Sequence, residues 1–308
     1  MHKMGIISSP QSQQNKKRPT LWLDLEKLVS NKGTLFVTNT LDELEEALMV
    51  FKQCGVTVIA INGGDGTISH VMTKAVKVYG ADELPGFVPL RGGNFNILAD
   101  NLGIKTGPRR TLRRLLDVFN RTTSPKQEKL RTINVGGQIG FLYVNGSAFR
   151  FLVEFYKNRG NAIDSAIHLA KIALSKYYKP EFYDSVAHDT SAEIWVDDKL
   201  VFVHKSAAMF ISTMPRMPWG LNIFPRAKKS EGFECVVYHN PPRETVTKGI
   251  VDTLFRPHES PYRSTFCGKS IRMKLGEEAG YTLDGELYFP GTGEMEIAVG
   301  PSVSFVSL

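Results

Sequence analysis

Apolar residues in the first third of the chain fall into alternating periods. The polar stretch Ser8 to Pro19, rich in Ser, Gln, Lys and Pro, reads as a loop that follows a short first strand. Leu35-Phe36-Val37 predicts a second short strand. Thr40 then opens a helix. Glu43, three residues on, completes a capping box, and Leu41, Leu44, Leu48 and Phe51 supply one apolar face. Val56-Thr57-Val58-Ile59-Ala60-Ile61 is a β-branched run that suits a strand buried on both faces of a parallel sheet. Past Asn62-Gly63-Gly64-Asp65-Gly66-Thr67 the period lengthens to that of a helix, and Ile68, Val71, Met72, Ala75, Val76 and Tyr79 share a face. Phe87-Val88-Pro89-Leu90 predicts another strand with a second glycine-bearing loop after it. Leu112, Leu115, Leu116 and Phe119 mark one more amphipathic helix. Strands alternating with helices predict an open, mostly parallel α/β sheet.

Near Ser124-Pro125-Lys126 the pattern shifts. Arg131 to Val135 and Phe141 to Asn145 read as strands joined at Gly136-Gly137, with helical stretches over 147–157 and 163–178. Ala192 to Val196 and Leu200 to His204 flank Asp197-Asp198-Lys199 as a hairpin. Further strands are expected at Met209 to Ser212, Glu234 to His239, Ile271 to Leu275, Glu286 to Phe289, Glu294 to Val299 and Val303 to Val306. This half is expected to be mainly β, a sandwich-like pair of sheets. The expected division is an α/β domain over 1–125, completed by residues 300–308, and a β-rich domain over 126–299.

Composition narrows the classes. With 308 residues, 42% hydrophobic and 22% charged, the chain is neither a disordered tail nor a coiled coil. Its net charge of +7 suits an anionic partner: nucleic acid, an acidic membrane surface or a phosphorylated ligand. No basic motif interleaved with aromatics supports nucleic acid, which is set aside. The densest basic groups are Lys16-Lys17-Arg18 and the i,i+4 pairs Arg109/Arg113 and Arg110/Arg114. They form either a solvated helix face or an attraction to anionic lipid headgroups. Cys54, Cys235 and Cys267 are far apart, lack metal spacing, and read as thiols in a reducing compartment. No signal-peptide core develops after Met1, and no apolar run reaches about 18 residues. The expectation is a cytoplasmic protein whose membrane contact is transient and peripheral. Oligomeric state is left open, a homodimer included.

The candidate chemistry lies in the two glycine loops. In Gly63-Gly64-Asp65-Gly66-Thr67, between a strand and a helix, glycines let backbone approach a ligand closely, and the N–H groups of the following helix favour an anion. The loop is neither a Walker A sequence nor GxGxxG. Asp65 could cap a helix, organise Mg²⁺ near a nucleotide, or do both. In Arg91-Gly92-Gly93-Asn94-Phe95-Asn96, the amides of Asn94 and Asn96 are offered to phosphate, ribose or base, or else cap the helix that follows.

Together these loops, the second running into Ala99-Asp100-Asn101-Leu102-Gly103-Ile104, resemble the catalytic domain shared by diacylglycerol kinases, sphingosine kinases and bacterial lipid kinases. Asn96 and Gly93 match that family's Asn and Gly. Asn94 stands where Thr is usual, Phe95 where a small residue is common, and Arg91 is an added residue. Ile7-Ser8-Ser9-Pro10-Gln11-Ser12 is similar to a degraded Asn-Pro-x-Ser-Gly opening. Phe224-Pro225-Arg226-Ala227 with Glu231-Gly232-Phe233-Glu234 resembles a later family stretch, and Leu283-Asp284-Gly285-Glu286 resembles its Asp-Gly-Glu. The resemblance implies a Rossmann-like fold of the NAD kinase and diacylglycerol kinase type, ahead of the β-rich domain. It implies ATP and Mg²⁺ as cofactors, with Gly63, Gly64, Gly66, Thr67, Gly93, Asn94, Asn96 and Glu286 at the nucleotide and Asp65 and Glu286 at the metal. Asp284 is implied as the general base, with Asp65 the rival, and Glu286 is expected on the same strand face as Asp284. The implied function is ATP-dependent phosphorylation of a hydroxyl on a diacylglycerol-like or sphingoid-like lipid at an anionic membrane. The alternatives are a kinase of a soluble metabolite, as NAD kinases are, and a catalytically inactive lipid- or nucleotide-binding relative.

Overall fold

The computed structural model describes residues 3–30, 32–121, 125–157, 171, 174, 175, 177–239, 261–276, 280–291 and 293–308. The chain divides into two compact units. One is Met1–Thr132 with Gly137–Gly140 and Gly300–Leu308; the other is Ile133–Gly136 with Phe141–Val299.

In the first unit β1 (Met4–Ser8), α1 (Gln13–Lys17), α2 (Leu21–Val29), β2 (Gly33–Val37), α3 (Leu41–Gln53), β3 (Val58–Asn62), α4 (Asp65–Tyr79), β4 (Gly86–Pro89), α5 (Ile97–Asn101) and α6 (Pro108–Arg121) follow one another. The sheet order is β2-β1-β3-β4, all parallel, with Ile6 opposite both Leu35 and Ala60, and Ala60 opposite Val88. Residues from the end of the chain's last strand pair in parallel with β4, Phe305 opposite Phe87. β1, β3 and β4 are buried at every position, because helices lie on both faces. On one face Met4, Ile6, Val58, Ala60, Val88 and Leu90 pack with Leu21, Leu25 and Val29 of α2 and Leu112 and Leu115 of α6. On the other, α3 and α4 pack together, α3 against β1 and α4 against β3. This is the open α/β sheet that the alternating periods predict.

The capping box at Thr40 forms, with a one-residue offset. Thr40 Oγ1 accepts the Glu43 N–H at 3.1 Å, but the Glu43 carboxylate reaches past it to the Asn39 N–H at 2.7 Å. Leu41 is exposed and Ala47 joins the buried face instead. The polar stretch expected as a loop contains α1, and α2 follows it without a strong periodic signal.

Along the chain β5 (Gln127–Val135) enters the second unit at Ile133 and β6 (Gln138–Gly140) returns to the first; the second unit then continues with β7 (Leu142–Gly146), α7 (Ser147–Lys157), α8 (Pro180–Ala187), β8 (Thr190–Val196), β9 (Lys199–Ser206), β10 (Ala208–Ser212), β11 (Phe233–Tyr238), β12 (Arg263–Gly268), β13 (Ser270–Leu275), β14 (Tyr281–Leu283), β15 (Glu286–Tyr288) and β16 (Glu294–Val306), which leaves it at Val299. One antiparallel sheet has the order β12-β11-β10-β7-β14-β15. In the second, β13 pairs antiparallel with both β16 and β8, and β8 with β9. Their facing residues alternate along each strand and form a single core. Tyr143, Met209, Ile211, Phe233, Cys235 and Leu283 from one sheet meet Ala192, Ile194, Val196, Ile271, Met273 and Ile297 from the other. The sandwich-like pair of sheets is therefore present.

Two local expectations change and a third goes untested. The Gly136-Gly137 turn, with φ of 57° and 86°, joins β5 to β6 rather than to β7, and β7 instead sits between β10 and β14. Glu294 to Val306 is one strand, not two. Most of the helical stretch expected over 163–178 lies outside the described residues. Among the described residues no helix is long and apolar enough to cross a membrane.

Candidate active site

The C-terminal ends of β1, β3 and β4 carry three successive loops of the first unit, at the edge where open α/β sheets hold ligands. Gly64 is the N-cap of α4 and contributes no side chain. The first N–H bonded back along this helix is that of Ile68, to the Gly64 carbonyl at 3.0 Å. The amides of Gly66 and Thr67 precede it and lack an intrahelical acceptor. They face the loop with the positive end of a 15-residue helix behind them.

The second glycine loop lies directly against the first. Leu90 N–H donates to the Ile61 carbonyl at 2.8 Å and Gly92 N–H to the Gly63 carbonyl at 2.9 Å. A Cβ on Gly93 would stand 2.5 Å from the Gly64 Cα, and one on Gly92 would stand 2.8 Å from the Gly63 nitrogen. These glycines are thus required for backbone-to-backbone packing of the two loops, before any ligand enters.

Asp65 does act as a cap, though not for its own helix. Its Oδ1 accepts the Leu98 N–H at 3.1 Å, at the start of α5, 33 residues away. Burial pushes its carboxyl above the ordinary range; the Leu98 and Ile97 N–H groups oppose that rise, and the nearby Asp100 charge adds to it. Asn96 adopts left-handed backbone, φ 53°, and closes a small ring with Gly93. Its Oδ1 accepts the Gly93 N–H at 3.0 Å and its Nδ2 donates to the Gly93 carbonyl at 2.9 Å. Its amide therefore shapes the loop from within. Asn94 is half-buried and its side chain makes no hydrogen bond among the described residues, so of the two amides this one is available to a ligand. Thr67 is half-buried in the first turn of α4, its side chain close to Gly63. Arg91, at φ 57°, folds away onto α5, where Nη1 meets the Asp100 carboxylate and donates to the Ile104 carbonyl at 2.8 Å.

Sequence reasoning missed a buried carboxamide pair beneath these loops. Asn15 Nδ2 donates to the Ser9 carbonyl at 2.7 Å and to the Asn62 carbonyl at 3.2 Å. Asn62 Nδ2 donates to Ser8 Oγ at 2.9 Å and to Asn15 Oδ1 at 3.1 Å. The only hint was that asparagine is an unusual choice at the end of a buried strand.

The second unit holds the other two candidate residues. Asp284 and Gly285 have φ of 51° and 90°, the conformation of a tight hairpin turn between β14 and β15. Asp284 is buried. Its Oδ1 accepts the Leu142 N–H at 2.9 Å and its Oδ2 the Phe141 N–H at 3.0 Å. Because Asp284 is a turn residue, strand alternation does not put Glu286 on its face, and this corrects the expectation drawn from spacing. Glu286 is exposed as the first residue of β15.

Among the described residues no three His, Cys, Asp or Glu side chains converge where a metal could sit. A lone carboxylate such as Asp65 fits a Mg²⁺ ion that arrives with phosphates and keeps its waters. It does not fit a cation held by protein alone.

Residues 3–125 match the family model of the diacylglycerol kinase catalytic domain. A kinase, that is a phosphotransferase, is the activity this match implies. Among curated proteins none matches the chain in sequence. Three solved structures from Bacillus anthracis strain Sterne share the fold across all of this chain. A candidate diacylglycerol kinase superposes with TM-score 0.74 at 16% identity over 95% of its own length. A second candidate reaches 0.70 at 16% over 97%, and a diacylglycerol kinase 0.66 at 12% over 97%.

Proposed function

Starting from a kinase-type catalytic domain in residues 3–125, we propose that the chain transfers the γ-phosphoryl group of ATP to a hydroxyl of a diacylglycerol-like or sphingoid-like lipid. The observation that carries this reading is the pair of glycine loops locked backbone to backbone, with the start of α4 beside them. Phosphoryl transfer asks a protein mainly for placement and charge stabilisation. The amides of Gly66 and Thr67, the Thr67 hydroxyl, the Asn94 amide and the backbone of Gly63, Gly64 and Gly93 bind phosphate. Asn96 holds the second loop in shape. Mg²⁺, when bound with the nucleotide, neutralises charge on the phosphates, and Asp65 is the residue of the first unit that meets it through water.

In the transfer, the lipid hydroxyl oxygen forms a bond to the γ-phosphorus, the bond to the β-phosphate oxygen breaks, and ADP leaves. Asp284 takes the hydroxyl proton; the two N–H groups that grip its carboxylate fix the direction in which it accepts. Glu286 assists at the nucleotide or at metal-bound water. Arg110, Arg113 and Arg114 are exposed on α6 and attract the anionic leaflet that carries the substrate, whereas Arg109 is engaged by Asp24.

The test is incubation of the purified chain with γ-labelled ATP, Mg²⁺ and mixed micelles carrying diacylglycerol or sphingosine. Label in the lipid, lost in D284N, is expected. Label in a soluble metabolite instead would move the acceptor class. Binding of ATP with no transfer to any acceptor would overturn the enzyme reading.

A further inference from the structure

Resting on that nucleotide-binding reading, we infer that Asn15 is the positioning residue that holds the phosphate-binding loops in their working geometry. The opening loop lacks the residues that would shape it by themselves: Ser9 and Gln13 stand where the resemblance calls for Asn and Gly. Asn15, buried at 6% exposure on a helix of only five residues, supplies the missing constraint from outside the loop. Its Nδ2 bridges the carbonyls of Ser9 and Asn62, tying the end of β1 to the end of β3.

The orientation of both amides follows from chemistry. Two carbonyls accept only from an NH₂ group, so Asn15 Oδ1 must face Asn62, and Asn62 must answer with its own NH₂. That choice leaves Asn62 Oδ1 buried without a donor among the described residues. An orphaned acceptor at 0% exposure is costly, and it is retained here because the donors on the same amide are needed.

The constraint passes on through backbone. Gln14 N–H, next to Asn15, donates to the Gly92 carbonyl at 3.1 Å; Gly92 N–H donates to the Gly63 carbonyl at 2.9 Å; and Ser9 N–H returns to the Asn62 carbonyl at 3.1 Å. The ring closes over all three loops, and Asn15 ties its first and second members together beside the Asn62 Nδ2 to Ser8 Oγ bond. No part of Asn15 need touch nucleotide for its loss to be felt there.

The experiment measures ATP affinity by equilibrium binding, and KM and kcat separately, in the full chain and in N15A. Removing two donors from buried carbonyls is expected to weaken ATP binding and raise the KM for ATP about tenfold, with the lipid KM unchanged and kcat within about twofold. N15Q, which keeps the NH₂ group, is expected to recover part of the affinity. If N15A does not unfold cooperatively, N15S replaces it and the same split is read. Unaltered ATP affinity in a folded variant overturns the inference while leaving the kinase reading intact. A parallel loss in lipid KM and kcat would make Asn15 merely structural and also overturn it. A wild-type chain that binds no ATP would instead remove the nucleotide-binding reading itself.

Discussion

Gly93→Ala probes the paired loops most directly. The new Cβ would stand 2.5 Å from the Gly64 Cα, where ordinary contact begins at 3.4 Å, a shortfall of about 0.9 Å. The obstacle is backbone, which cannot swing aside as a side-chain tip can. Two hydrogen bonds hold the loops at this spacing, Gly92 N–H to the Gly63 carbonyl and Leu98 N–H to Asp65, and Gly93 N–H to Asn96 fixes the second loop internally. Relieving the overlap must stretch at least one of them. Overpacking of this kind costs about 1–3 kcal/mol, and a buried group left without its partner costs about 1–3 kcal/mol more. The sum, on the order of 2–6 kcal/mol, would lower the melting temperature by roughly 4–24 °C in a domain of this size. Thermal unfolding of the full chain, paired with ATP binding, is the assay. Gly107→Ala is the control, since a Cβ there meets nothing within 4 Å; its melting temperature should stay within about 2 °C of wild type. A G93A protein that melts and binds ATP like wild type would show that the loops do not touch in this way.

Asp65 can be separated into oxygen and charge. D65N keeps an acceptor for the Leu98 N–H, whereas D65A loses the cap of α5 and about 0.5–2 kcal/mol in urea unfolding. Because burial raises the Asp65 carboxyl, the folded chain holds that proton more tightly than the unfolded one. Its contribution is complete below about pH 3.9 and is lost as pH rises through the folded value. D65N should therefore flatten the fall in stability above about pH 4, and an unchanged slope would refute the sign. D284A strips the Phe141 and Leu142 N–H groups of their shared acceptor, and a loss of about 1–3 kcal/mol for each is expected; a urea midpoint equal to wild type would deny the grip. Changing Arg110, Arg113 and Arg114 together to Gln should weaken sedimentation with phosphatidylserine vesicles by about 1 kcal/mol per residue at low salt. Equal binding by the variant would place the membrane-facing surface elsewhere.

The strands that carry the glycine loops were legible because burial on both faces leaves an uninterrupted apolar run such as Val56 to Ile61. The sandwich was legible for the opposite reason: alternation, as at Ile271 and Met273, marks one face in and one face out. α2 was not, since a nine-residue helix shows only Leu21, Leu25 and Val29 to the core and gives few repeats to read. The partner of β5 was misread because Phe141 to Asn145 is as good a strand as Gln138 to Gly140, and only long-range pairing decides between them. At the site, residue types were readable and partners were not. A capping role for Asp65 was visible in the loop, but its target lies 33 residues on. Asn15 and Asn62 are 47 residues apart and obey no local spacing. Turn geometry likewise separates Asp284 from Glu286, which simple alternation had put on one face.

Strand β16 leaves the second unit at Val299 and ends in the first, where Phe305 pairs with β4. During synthesis residues 3–125, which match the diacylglycerol kinase catalytic-domain model, therefore emerge from the ribosome well before the strand that completes their sheet. Until then β4 is an open edge, with Phe87 and Val88 ready to pair with any strand nearby. A fragment cut at residue 125 would carry that edge permanently, and aggregation rather than autonomous folding is what it should show. The same arrangement makes residues 300–306 a poor place for an insertion, because they are strand.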